Sequence, residues 1–340
     1  VPNLLPLRAC RGRRPLAFLL PGAFLLALIL PAAKPAKAEE GSIFVNGDVL
    51  EELLLSPADL KAMPPFFIEN VPLIPERVRD GKDLDRVSQT HFRGVLLRDL
   101  LHRAGMKHKR KWEPGVVIRV VGQGGKEVVF SFGEIFYSST GRSILVAYER
   151  NGKPRPPTLV VATDIHDGRM MEGVAEIRVS RVAVQLLAYD DKDNKVTRPP
   201  TREFALRDTN GGSLTTIRQA DIEALPQTHI PAAVMIGDCE GYHGIHTLDG
   251  AALATLLRKH LAVADPAPYD RYVLVTSNDG YSAVYSFGEL FNSRMGNQVV
   301  IAVRKDGQPL TPADGFAMSV TGEDSTGGRS VRRIEKIEVH

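Results

Sequence analysis

Apolar positions along the chain fall into two periods. GVLLRDLLHRAG (94–105) carries leucines at helical spacing, and Gly105 stands where a C-cap is expected. SPADLKAMP (56–64) opens on a capping serine with Pro57 in the first turn. GVVIRVVG (115–122) and RYVLVTS (271–277) are dense in branched residues and predict strands. SILVAYER (143–150) and QVVIAVRK (298–305) predict strands that run into the turns NGKP (151–154) and DGQP (306–309). IRVSRVAV (177–184) and RIEKIEV (333–339) alternate as closing strands should. Short helices set among such strands predict an α+β fold with mixed sheets.

The same blocks occur twice, in the same order. FSFGEIF (130–136) returns as YSFGELF (285–291), 155 positions on, and NGKP returns as DGQP at the same displacement. GVLLRDLL (94–101) answers GAALATLL (250–257), LKAMP (60–64) answers IEALP (222–226), and EIRVSRVAV (176–184) answers VRRIEKIEV (331–339). The displacement is too long for a solenoid unit and fits two whole domains. The expected organisation is a first domain over 41–188, a charged, proline-ended linker over 189–200, and a second domain over 201–340.

Charge adds a leader. Residues 1–38 hold six basic side chains and no acid, so the formal charge of +3 becomes −3 without them. RGRRP (11–15), an apolar run over 16–33 and AKA (36–38) have the form of a secretory signal peptide. The expected location is the periplasm or the extracellular space. An uncleaved run would instead tether the chain to a membrane. The remaining charge offers no footprint for nucleic acid. No dinucleotide loop, Walker loop or hydrolase elbow stands in its required setting.

Cys10 lies inside the leader, which leaves Cys239 as the lone thiol of an exported chain. It sits in GDCEGYHGIH (237–246), among Gly237, Gly241 and Gly244, and the matching block of the first copy has no cysteine. Such a thiol is a metal ligand, a buried inert group, or a disulfide partner of another chain. With His243 and His246 it sketches a set for copper or zinc. In the second copy, Arg329, Ser330 and Arg332 of TGGRSVRR (326–333) are suited to grip an anionic phosphate. The matching stretch GRMMEGVAEIRV (168–179) lacks that cluster.

The order of these motifs resembles the oxidoreductase molybdopterin-binding domain, the sulfite-oxidase-like family. The motifs are a helix like LKxLP, DCEG, G-x-x-L-x-x-LL, DGYS, DGQPL and GGRSVRRIEKIEV. The resemblance covers about 41–184 and 203–339, which implies two tandem copies of that fold. It implies that Cys239 ligates molybdenum beside the dithiolene of a molybdopterin, and that Gly241, Arg329, Ser330 and Arg332 help to hold the cofactor. Tyr281 of DGYS would face the reacting site. The implied work is oxygen-atom or electron transfer with a small anionic substrate, and a redox partner such as a cytochrome. The alternative is a cofactor-free binding or interaction module on the same fold. Tyr242-His243-Gly244-Ile245-His246 stands where the family carries arginine and tryptophan.

Overall fold

The computed structural model describes residues 39–76, 88–106, 115–182, 200–237 and 241–340. The proposed leader (1–38), the sole tryptophan, Trp112, most of the linker, and Cys239 lie outside them. Residues 38–340 form one compact unit, so both halves of the repeat belong to a single body. Among the described residues, no helix is long and apolar enough to cross a membrane.

Each half is built from two five-stranded sheets. The inner sheet of the first half runs Leu53–Leu55, Ile43–Gly47, Val174–Arg181, Val116–Gly122, Glu127–Ser131. In the second half the order is the same: Leu214–Arg218, Glu203–Asp208, Ile334–Val339, Tyr272–Ser277, Ser282–Ser286. In both, the last strand in sequence is central. It pairs parallel to the first strand on one side and antiparallel on the other. The alternation within Val174–Arg181 and Ile334–Val339 thus marks the middle of a sheet.

The register corrects one displacement. Ile177 lies opposite Val45 and Val120, and Ile337 lies opposite Leu206 and Val275. Residue 177 therefore answers 337, not 332. The slip arises in the outer sheets. Lys153–Val161 is one long strand, whereas its counterpart is split into Gln308–Pro309 and Met318–Thr321 with extra residues between.

Six short helices fill the corners: α1 (Pro57–Ala62), α2 (Leu97–Ala104), α3 (Phe132–Phe136), α4 (Gln219–Glu223), α5 (Leu253–His260) and α6 (Phe287–Phe291). Ser56 caps α1 in a complete capping box with Asp59, a feature that contributes about 1 kcal/mol. Gly105 ends α2 at φ 62°. Both predicted turns form, with Asn151-Gly152 and Asp306-Gly307 all at positive φ, the geometry that lets a two-residue hairpin follow the strand twist. Each half packs its own large apolar core. A smaller cluster of Val117, Val129, Leu274 and Val284 seals the inner sheets against each other.

Candidate functional site

The largest buried side chains in the described protein are two arginines, Arg169 and Arg329. They occupy equivalent places. Each follows an aspartate by five residues, in Asp164–Arg169 and Asp324–Arg329, and each carboxylate takes a two-pronged grip on its guanidinium. Arg329 donates from Nε and Nη2 to Asp324 at 2.7 and 2.6 Å, and Arg169 donates from the same atoms to Asp164 at 2.8 and 2.5 Å. The remaining Nη1 reaches a glutamate at 2.6 Å in both halves, Glu289 for Arg329 and Glu134 for Arg169.

The repeated S-F-G-E of α3 and α6 explains itself here. Ser131 and Ser286 cap their own helices by accepting from the backbone N–H of Glu134 and Glu289. Each serine hydroxyl then donates across to the other half, Ser131 to Glu289 at 3.1 Å and Ser286 to Glu134 at 2.7 Å. The glycines leave room for the opposite arginine. A Cβ on Gly133 would lie 2.2 Å from Arg329 Nε, and one on Gly288 would lie 2.3 Å from Arg169 Cδ. The crossing continues in the backbone. Ile165 N–H donates to Asn292 O, and Ser325 N–H donates to Tyr137 O. Burial pushes Asp164 up to about 6 and Glu289 up to about 7, against the opposing pull of the arginines.

In this placement Arg329 has no donor left over for a phosphate. Its side chain is fully buried and every guanidinium nitrogen already has a protein partner. An arginine present in both halves does not distinguish the second. Ser330 and Arg332 do, because their counterparts are Met170 and Glu172. Ser330 is half-buried, and Arg332 is exposed, 3.4 Å from Asp314. Tyr281 donates its hydroxyl to Gly328 O at 2.5 Å and so anchors the turn that carries Ser330. Tyr285 and Ser319 hold the Arg329 carbonyl from the other side.

Gly237 and Gly241 pair at the ends of two antiparallel strands, Gln227–Gly237 and Gly241–Ala252. Asp238, Cys239 and Glu240 stand between them in sequence and outside the described residues. Gly241 has φ 75° with open space where a Cβ would be. His243 and His246 lie on a strand, so helical spacing does not apply. His246 Nδ1 is 2.7 Å from Asp306 and its Nε2 is 3.1 Å from the His243 carbonyl. Both ring nitrogens of His246 lie beside protein oxygen atoms. Among the described residues, no group of three or more His, Cys, Asp or Glu side chains is placed to hold a metal.

One further change separates the halves. Half-buried Val121 and buried Leu159 and Val161 of the first are replaced in the second by Thr276, Ser319 and Thr321, which are all buried. The Thr276 hydroxyl has no hydrogen-bond partner. A buried hydroxyl left in that state is one that an additional polar group would satisfy.

These differences coincide with the part of the chain that matches a known family. Residues 214–340 match the family model of the oxidoreductase molybdopterin binding domain. The match takes in Cys239, Tyr281 and the turn at 326–333, a little over a third of the chain. A stretch of 122 residues is 32% identical to the NADH nitrate reductase of Solanum lycopersicum, covering 33% of this chain and 13% of that protein. The chain thus spans a small part of that relative. Among solved structures, the sulfane dehydrogenase SoxCD from Paracoccus pantotrophus aligns over 89% of this chain and 80% of its own, at 12% identity and a TM-score of 0.35. For a molybdopterin in the matched domain, Arg329 does not fit as an anion contact. Ser330 is half-buried and Arg332 is exposed, so neither is sealed in as Arg329 is.

Proposed function

We propose that the second half is the working domain of an exported molybdopterin-dependent oxidoreductase, and that the first half is a tandem copy serving as its scaffold. On this reading the copies are 41–188 and 201–340, joined by 189–200, behind a signal peptide at 1–38. The family match over 214–340 carries the proposal. It is supported by the polar changes confined to that half.

Cys239 would hold the metal through its thiolate, with Gly241 beside it. Ser330 and Arg332 would meet the anionic end of the pterin, and Tyr281 would fix the turn that bears them. A molybdenum–pterin supplies two-electron oxidation or reduction with oxygen-atom exchange. A small anionic substrate and a redox partner such as a cytochrome complete the scheme. The residues of the chain orient the group and neutralise its charge.

Metal and pterin analysis of the exported protein tests this. About one molybdenum per chain, lost in Cys239→Ser with the fold intact by circular dichroism, is the expected result. Absence of both metal and pterin would replace it with the cofactor-free binding module. The sealed state of Arg329 is the observation that favours that second reading.

A further inference from the structure

A pocket of about 260 Å³ opens between the side of α5 and the carboxyl end of α6. Arg258 and Thr255 of α5 line it, with Phe291 of α6, Arg294 and Asn297 beyond it, and Ile165 from the first half. Arg258 and Arg294 are both exposed. Arg258 lies over the Phe291 ring at 5.0 Å. Neither guanidinium has a carboxylate partner among the described residues, and no acid lines the pocket. The other arginines around this junction, Arg169 and Arg329, are fully paired.

The equivalent place in the other half shows what is missing. There, at the end of α3, Ser139 donates to the Glu323 carboxylate at 2.8 Å. The repeat puts Arg294 where Ser139 stands, Arg258 where His102 stands, and Thr163 where Glu323 stands. One side of the molecule therefore supplies its own carboxylate to the helix end. The other has lost that carboxylate, has Thr255 where Asp99 stands, and carries Arg258 and Arg294 in place of Arg98 and Arg142, whose positions are Ala254 and Asn297.

We infer that this pocket binds a carboxylate-headed small molecule with an apolar body. The head takes the place of the missing side chain, between Arg258 and Arg294, and the body lies on Phe291 and Ile165. Guanidinium groups suit a planar carboxylate through paired donors, and an aromatic and an aliphatic wall suit an apolar body. The inference does not depend on a cofactor, and none of these residues belongs to the proposed cofactor set.

Calorimetric titration of the full chain with sodium benzoate tests it, with sodium phosphate and sodium chloride at matched ionic strength as controls. Benzoate is expected to saturate at one site. Arg258→Gln and Arg294→Gln are each expected to weaken it about tenfold, the loss of a charge-assisted hydrogen bond. Thr163→Glu, which restores the carboxylate in cis, is expected to abolish binding without lowering the melting temperature. No saturable heat above the chloride control, unchanged affinity in all three variants, or phosphate binding as well as benzoate would each overturn the inference.

Discussion

Arg169 and Arg329 each carry a full charge into a place that water does not reach. Such a charge is tolerable only while its partners remain, and removal of one member of a buried pair costs about 3–5 kcal/mol. Arg329→Met is therefore expected to lower unfolding free energy by that order, read from the urea midpoint at constant m. A role on a cofactor phosphate would instead lower cofactor content and leave the midpoint in place. Arg329→Lys is expected to lose much of the same stability, because an ammonium cannot reproduce the fork that engages Asp324 and Glu289 together. At this scale the sequence was only partly readable. A glycine-rich turn before Arg-Ser looks the same whether the arginine points out or in, and Glu289 lies 40 residues away. The readable signal was the repeat: aspartate five residues before the arginine of Gly-Arg in both halves, and S-F-G-E in both.

The five-residue helices α3 and α6 act as hinges of the packing, each lending its cap to its neighbour's glutamate. Their glycines are fixed by space alone, since neither has a positive φ. Gly133→Ala is expected to push Arg329 off its partners. The cost should be at least the 1–3 kcal/mol or so of an overpacked core, and Gly288→Ala should match it through Arg169. Thermal denaturation of the two variants side by side checks both size and equality. Capped helices and Asn-Gly or Asp-Gly turns were legible because their signals are local. The strands Gln227–Gly237 and Gly241–Ala252 were not. Glycines, histidines and exposed apolar residues such as Tyr242 and Ile245 break the alternation there. Nor does sequence order give sheet order, which is why the last strand of each half turned out to be central.

Across the whole body, the seam holds four carboxylates against two guanidinium groups: Glu134, Glu289, Asp164 and Asp324 against Arg169 and Arg329. With an excess of two acids in a dry place, the folded protein retains protons that the unfolded chain releases. Burial raises Glu289 from its ordinary 4.5 to about 7. Its contribution is thus complete below the ordinary value and lost as pH rises through about 7. The urea midpoint is expected to fall between about pH 5 and about pH 8, and Glu289→Gln to flatten that slope. A slope unchanged in the variant would move the effect elsewhere. The duplicated order of blocks was visible from sequence. That the two halves form one unit was not, because the residues that join them meet across long sequence separations.

The contacts along the seam are reciprocal, serine to glutamate in both directions. The surface with which two such halves would recognise each other is consumed within the molecule. Any self-association must therefore recruit a different face. Positions on the seam answer to two neighbourhoods at once, whereas Met170 and Ser330 answer to one. Divergence, and with it the chemistry that tells the halves apart, is confined to what those shared positions leave free.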